Sequence, residues 1–482
     1  MLPAIALAAL LGTQLSADPA AGVTFSNSPF TDEGWNVMGA RNVVLLGDWG
    51  AGNWSLHLVQ LPFTLAQAAG FALMGVGIVQ ARIVALLCTV GAVALIGLAT
   101  GRRLGAASGV LAGLALGSCA LVLYYGRLVF IEDIVLLSLA GGLALLVWRD
   151  APPRLAITVA AGALLAIAVG SKPLALFSVL GILAGILVAG DRAWRVRALL
   201  AAAVVTAMGV GWVLLIGLPN AERIGFVLQI WAEQRLPENF GQLVERVVTY
   251  PLPGRSDRTV LLSLPLSAVG AAGLLAAVLR WRSLAPDQKV LAGAAVGWLV
   301  LGVGVLLVAS YRPNRYALPY LPALAVLSGF ALPPARAWLS RLRPIATGLA
   351  AGLAAALVVA PGMASYASWA LAATHEGPRL QAEVASLIGR DPAPVEGGLA
   401  PFLAMTAPVP IHVRWASSQV NSGDLYADAG VRWMVLTGTQ FPLWAEAHPE
   451  AWEGRRELGC YAWGEGRHCL LHFPEEAATS ER

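Results

Sequence analysis

Long stretches without a single charge constrain this chain more than any other feature. Ile83 to Thr100, Leu155 to Gly170, Thr259 to Leu279 and Ala346 to Ala372 are uncharged and mostly apolar. A helix needs about 20 apolar residues to cross roughly 30 Å of hydrocarbon. Backbone polar groups in lipid must be bonded inside the structure, so only helices and closed barrels span. These runs are continuous rather than alternating, which excludes barrel strands and predicts helices. The spacing predicts about eleven spans, near 2–17, 82–100, 107–123, 133–148, 154–169, 173–189, 197–217, 259–279, 290–310, 316–333 and 346–371. One globular core does not hold so many apolar segments. Charged residues make up 12% of the chain, against about 25% in a soluble domain. The first run, Leu2 to Leu15, is short, and Leu15-Ser16-Ala17 loosely resembles a signal cleavage site, so it reads as a first span or a cleaved signal.

The arginines set an expected orientation. One set of short connections carries Arg102, Arg103, Arg149, Arg154, Arg192, Arg195, Arg197, Arg280, Arg282, Lys289, Arg336, Arg341 and Arg343. The alternate set carries only Arg127, Lys172, Arg312 and Arg315. The positive-inside rule places the richer set in the cytoplasm. The N-terminus is then cytoplasmic and the C-terminal segment extracytoplasmic, in a multi-pass protein of the cell membrane. Residues 1–373 form the expected membrane domain, with external loops 18–81 and 218–258, and residues 374–482 form a soluble extracytoplasmic domain.

That C-terminal segment has ordinary composition and reads as a small α/β domain. Val409 to Arg414 and Arg432 to Thr437 look like strands, and Arg379 to Ile388 like a helix. Cys460 and Cys469 bracket a Gly-rich turn, as in a hairpin. An exported compartment allows them to bond; a zinc site with His468 is the sharper alternative. The small net charge of +4 and the lack of a basic tract with aromatics give no reason to expect a nucleic-acid partner.

Ionisable residues at membrane boundaries are costly and often functional. On the expected outer side stand two carboxylate pairs, Asp32-Glu33 and Glu132-Asp133. Such pairs suit acid–base chemistry or a divalent cation, while an acid at a helix head also complements the dipole. Val37 to Leu46, just after the first pair, reads as an interfacial amphipathic helix. Arg82, Arg127, Lys172, Arg312 and Arg315 are cations on the side the rule depletes. A lipid-linked phosphate would partner them, since Arg forks chelate phosphate oxygens and Lys adds a point charge. Snorkelling to headgroups is the plainer reading.

In order and spacing these elements resemble the GT-C glycosyltransferases that use polyprenyl-phosphate sugars, in particular the family 39 mannosyltransferases and the aminoarabinose transferases. The resemblance rests on Asp32-Glu33 after the first span, Gly75 to Arg82 opening the second, and Gly126-Arg127 ahead of Glu132-Asp133. Lys172-Pro173 and Arg315-Tyr-Ala-Leu-Pro-Tyr-Leu-Pro322 complete it. It covers about residues 1–370. Where the family has a His-Pro-Pro run, this chain has His57-Leu-Val-Gln-Leu-Pro62. The resemblance implies transfer of one sugar from a polyprenyl phosphate, with inversion, to a glycan, lipid or protein acceptor outside the cytoplasmic leaflet. It implies little or no dependence on a metal, with a divalent cation admitted at the acidic pair. Asp32 would be the base and Glu33 its neighbour in positioning. The five cations would hold the phosphate, and Glu132, Asp133, His57 and Tyr316 would contact sugar or acceptor. No Gly-x-Gly-x-x-Gly follows a strand, as suits a donor that partitions among membrane lipids rather than a nucleotide sugar. A polytopic transporter or flippase is the rival expectation; such proteins place polar sites near the midplane, whereas here the span centres are almost uncharged.

Overall fold

The computed structural model describes residues 2–20, 32–54, 56–148, 155–225, 239, 241–242, 257–308, 313–339, 344–389, 391–413, 430–438, 440–447, 449–463 and 466–473. The expected external loop 218–258 and Arg312 lie largely or wholly outside these residues. The chain opens with α1 (Leu2–Gly12), α2 (Glu33–Leu46), α3 (Leu61–Met74), α4 (Ile78–Leu104), α5 (Ala106–Gly117), α6 (Ala120–Tyr125) and α7 (Ile131–Val147). It continues through α8 (Leu155–Ser171), α9 (Ala175–Ala189), α10 (Arg192–Trp212), α11 (Asp257–Leu279), α12 (Pro286–Val308), α13 (Leu321–Leu339) and α14 (Pro344–Ala372). After α15 (Glu376–Ile388) come the strands β1 (Val395–Glu396), β2 (Ile411–His412), β3 (Trp433–Thr437), β4 (Arg456–Trp463) and β5 (Gly466–His472). The architecture is a helical membrane protein with a small C-terminal sheet. Among the described residues five helical segments are long and apolar enough to cross a bilayer, and shorter apolar helices accompany them.

The described chain divides into two units. A helical unit takes residues 1–13, 85–127 and 131–371; a tail unit takes 14–84, 128–130 and 372–482.

Glycine decides how the helical unit packs. A Cβ on Gly181 of α9 would strike the Gly297 carbonyl of α12, and one on Gly185 would strike that of Gly293. In lipid the hydrophobic effect does not drive helices together, so close backbone approach over small residues carries the association. The segment expected as one span over 107–123 is instead two helices. Cys119 is extended (φ −61°, ψ 124°), and the Ser118 hydroxyl donates back to the Leu114 carbonyl at 2.7 Å. The break has a tertiary cause as well: Gly362 of α14 lies against the Ser118 carbonyl, where a Cβ would collide.

The tail unit is built on a five-stranded sheet in the order β2-β1-β3-β5-β4. β1 pairs in parallel with β2 and β3, and β3, β5 and β4 are antiparallel. Met434, Leu436, Trp444, Leu471 and Phe473 form its core. The strands expected near 409–414 and 432–437 and the helix expected from Arg379 are present. Cys460 and Cys469 are cross-strand partners and form a disulfide. With both sulfurs bonded to each other, the zinc alternative is excluded.

The helix expected at 37–46 begins earlier, at Glu33, and its buried residues include Glu33, Asn36, Arg41 and Asn42. It is therefore tied by polar contacts and is no simple amphipathic helix lying in a headgroup layer. Arg41 donates to the carbonyls of Met405 (2.9 Å), Ala407 and Val409 (2.8 Å). Asp18 accepts from the Thr374 hydroxyl at 2.7 Å and from the backbone N–H groups of Glu376 and Gly377 at 2.9 Å, so it caps α15 from far away in the chain.

Candidate active site

Two clusters of buried charge stand out, one in each unit.

In the helical unit, Glu132 and Asp133 occupy the first turn of α7 and are both 1% exposed. Pro173 disfavours helix at the residue before it, so α8 stops at Ser171 and Lys172 sits in the turn. Arg315 and Tyr316 belong to a 3-10 helix, Asn314–Tyr320, that starts after the extended Pro313. These three pieces of chain meet. The Lys172 ammonium donates to Glu132 Oε1 at 2.5 Å, and Arg315 Nε lies 3.6 Å from the same oxygen. Lys172 Nζ also sits 3.5 Å from the centroid of the Tyr316 ring. Asp133 accepts a hydrogen bond from the Thr89 hydroxyl at 3.1 Å. Arg127 lies with its guanidinium 4.4 Å from the centroid of Trp369. Tyr124 and Tyr366 surround that tryptophan, with ring centroids 6.0 and 5.0 Å from it. Tyr124 is anchored through its hydroxyl to Ser365.

In the tail unit, Asp32 is half-buried and directly precedes α2, its backbone carbonyl accepting from Asn36 N at 2.9 Å. Glu33 is fully buried and receives a two-point fork from Arg82, Nε to Oε1 at 2.8 Å and Nη2 to Oε2 at 2.7 Å. Glu33 Oε1 also accepts from Val129 N at 2.9 Å. The remaining terminal nitrogen of Arg82 donates to the Leu15 and Ala17 carbonyls, both at 2.8 Å. His57 is buried and its ring lies against Gly39, where a Cβ would collide with it.

Of the residues singled out in the sequence, Glu132, Lys172, Arg315 and Tyr316 are brought into one cluster, with Asp133 beside Glu132. Arg127 is held in an aromatic surround. Asp32, Glu33, Arg82 and His57 belong to the other unit. Nothing in the sequence singles out Thr89, Tyr124, Tyr366, Trp369 or Asp18, and Arg41 stands there only as part of an expected helix. An aromatic near a span end is ordinary in membrane proteins, so Trp369 carried no signal of its own.

Neither Glu33 nor Glu132 suits a resident cation. Glu132 already has an ammonium and a guanidinium on one oxygen, and Glu33 is clasped by Arg82. Among the described residues, the one cluster with metal-like donor spacing is Glu457 with Cys460 and Cys469, whose sulfurs are in the disulfide.

No protein-family profile and no curated protein matches the sequence. Solved structures do. ArnT from Cupriavidus metallidurans bound to undecaprenyl phosphate superposes with a TM-score of 0.68 at 18% identity, covering 99% of this chain and 98% of that one. The fold is that of ArnT. The apo oligosaccharyltransferase of Archaeoglobus fulgidus shares this fold at a TM-score of 0.60 and 14% identity, over 92% of this chain and 71% of its own. The archaeal AglB in complex with an inhibitory peptide and a dolichol phosphate gives 0.54 at 14% identity, over 90% and 69%. A further structure of the Archaeoglobus protein is a complex with zinc and sulfate.

Proposed function

We propose that the chain is a membrane glycosyltransferase that moves one sugar from a polyprenyl-phosphate donor to an acceptor on the extracytoplasmic side. The observation that carries this reading is the meeting of Lys172 and Arg315 on one buried carboxylate within a GT-C fold. Two cations meet on one oxygen of Glu132, away from water. Cations held in place in this way stabilise a phosphate leaving group as negative charge grows on its oxygens. ArnT, bound to undecaprenyl phosphate, and AglB, in complex with a dolichol phosphate, make a lipid-linked phosphate the natural donor class.

In this reading an acceptor hydroxyl oxygen bonds to the anomeric carbon from the face opposite the phosphate. The bond from that carbon to the phosphate oxygen breaks, and its electron pair leaves on the polyprenyl phosphate. Asp32 takes the acceptor proton, a role within reach of a half-buried carboxylate. Glu33 and Arg82, locked together at the start of α2, position Asp32. Lys172, Arg315 and Arg127 serve the phosphate, and Tyr316 orients Lys172. Asp133 and His57 are assigned to sugar or acceptor, and Arg312 to the phosphate. Glu33 and Glu132 are already committed to cations, so a divalent cation would have to be held by other acids. The acceptor is a glycan, lipid or protein of the cell envelope.

The test is turnover of a polyprenyl-phosphate sugar by purified protein, with mass spectrometry of envelope glycans made with and without the chain. Asp32→Asn should lose about 100- to 10,000-fold in turnover and keep its thermal midpoint. Full activity in that variant removes Asp32 from the base role, and unchanged envelope glycans remove the transferase reading.

A further inference from the structure

We infer that Trp369, on α14, is a positioning residue for donor binding: its ring holds the Arg127 guanidinium in the orientation that grips the phosphate of a polyprenyl-phosphate donor. The inference rests on the transferase reading and adds to it a residue from the last helix of the helical unit. Arg127 lies in the turn between α6 and α7 and is 1% exposed. An arginine side chain carries much rotamer entropy, so a fixed orientation needs a partner that fixes it. Trp369 is such a partner, with the guanidinium carbon 4.4 Å from its ring centroid. An indole is the strongest aromatic partner for a cation, and the contact gains strength away from water. Stacking engages the flat face of a guanidinium. Its N–H groups lie in the plane and stay directed outward from the ring, in a fork that matches phosphate oxygens.

The ring is itself braced. Gly362, Tyr366 and Trp369 follow one another at helical spacings of four and three, so they share one face of α14. A Cβ on Gly362 would strike the Ser118 carbonyl just ahead of α6. One turn on, the Tyr124 hydroxyl bonds the carbonyl and the hydroxyl of Ser365, both at 2.9 Å, and its ring stands 6.0 Å from that of Tyr366. Trp369 packs on both tyrosines, 5.0 Å from Tyr366 and 6.0 Å from Tyr124. Contacts between the two pieces of chain thus advance in step, from Ser118 with Gly362, through Tyr124 with Ser365, to Arg127 with Trp369. The close approach at Gly362 sets the register that brings the indole to the arginine.

A tryptophan near a span end has a plainer use, as an anchor at headgroup level. An anchor of that kind acts on stability and is indifferent to Arg127. A positioning residue acts on the donor and only through Arg127, so the two roles separate in a double-mutant cycle.

The experiment measures the dissociation constant of undecaprenyl phosphate, the lipid bound to ArnT, for the full chain in detergent, together with turnover of an undecaprenyl-phosphate sugar and the thermal midpoint. Trp369→Met keeps bulk without a ring face and should weaken binding roughly five- to thirtyfold. Trp369→Phe restores a ring and should lose only about threefold. Arg127→Gln should weaken binding as well, and adding Trp369→Met to it should weaken binding no further, because the ring then has no cation to hold. If the methionine variant does not fold, the same cycle with Trp369→Phe should show its threefold loss in the parent and none beside Arg127→Gln. Losses that add in full, parental affinity in the foldable Trp369 variant, or a fall in midpoint with affinity unchanged overturn the positioning role and leave the transferase reading standing. A parent protein that neither binds undecaprenyl phosphate nor transfers sugar from it removes that reading and this inference together.

Discussion

Glu33 and Glu132 are both buried carboxylates bonded to cations, yet they are bonded in opposite ways. Glu33 meets one arginine through both oxygens, and that arginine spends its last terminal nitrogen on two carbonyls. Every charge there has a fixed partner, and a ligand could enter only by breaking the structure. Glu132 offers one oxygen to two cations, at 2.5 and 3.6 Å, with a tyrosine ring behind the lysine. Two pieces of chain thus bring their cations to one carboxylate oxygen. The lesson is that burial of an ion pair does not by itself mark a functional site; how the charges are shared separates a one-to-one brace from a cluster of cations.

The largest expected effect breaks the first arrangement. Arg82→Leu leaves Glu33 buried without its partner, which costs about 3–5 kcal/mol. Chemical unfolding in detergent should show that loss, and a variant as stable as the parent would mean that Glu33–Arg82 is not the brace described here. Next comes Lys172→Ala, which removes a charged hydrogen bond worth about 1.5–3 kcal/mol. It should weaken donor binding by roughly ten- to a hundredfold and lower stability by less than Arg82→Leu does, because Arg315 still faces Glu132. If stability falls as far as in Arg82→Leu and donor affinity holds, the second pair is structural like the first. Arg315→Ala should act in the same direction but less, about fivefold or 1 kcal/mol, because its contact with Glu132 is longer. An effect larger than that of Lys172→Ala would exchange their roles.

The smallest effect is one of pH. In the tail unit, burial lowers the pKa of His412 and of His472, the latter in spite of Asp391 nearby. The folded tail therefore favours the neutral rings, and the unfolded chain binds more protons. Their contribution is complete above the unfolded value of about 6.5 and is lost as pH falls from there through the lower folded values. Melting followed between pH 7.5 and 5.5 should show a modest fall in tail stability that His412→Asn reduces. No pH dependence, or a rise on acidification, would show that the sheet is indifferent to these rings.

Much of the fold was legible in the sequence because lipid selects on composition over whole windows. Uncharged runs of span length become helices, since nothing else satisfies their backbone. Charges at the ends of those runs are expensive, so Lys172, Glu132 and Arg315 could be singled out before their neighbours were known. The hairpin of Cys460 and Cys469 was legible for a similarly local reason, a turn between two strand-forming stretches. What the tertiary structure alone decided was partnership. Glu33 and Glu132 look alike in sequence, each beside an aspartate at a helix start. Which one is clasped by a single arginine and which one draws in two cations depends on the register and rotation of helices far apart in the chain. The same holds for the break at Cys119, for Asp18 capping α15, and for Arg41 gripping the carbonyls of 405–409. Contacts of that kind join pieces of chain far apart in sequence, as where Gly362 meets the Ser118 carbonyl, and no local pattern of apolar and polar residues encodes them.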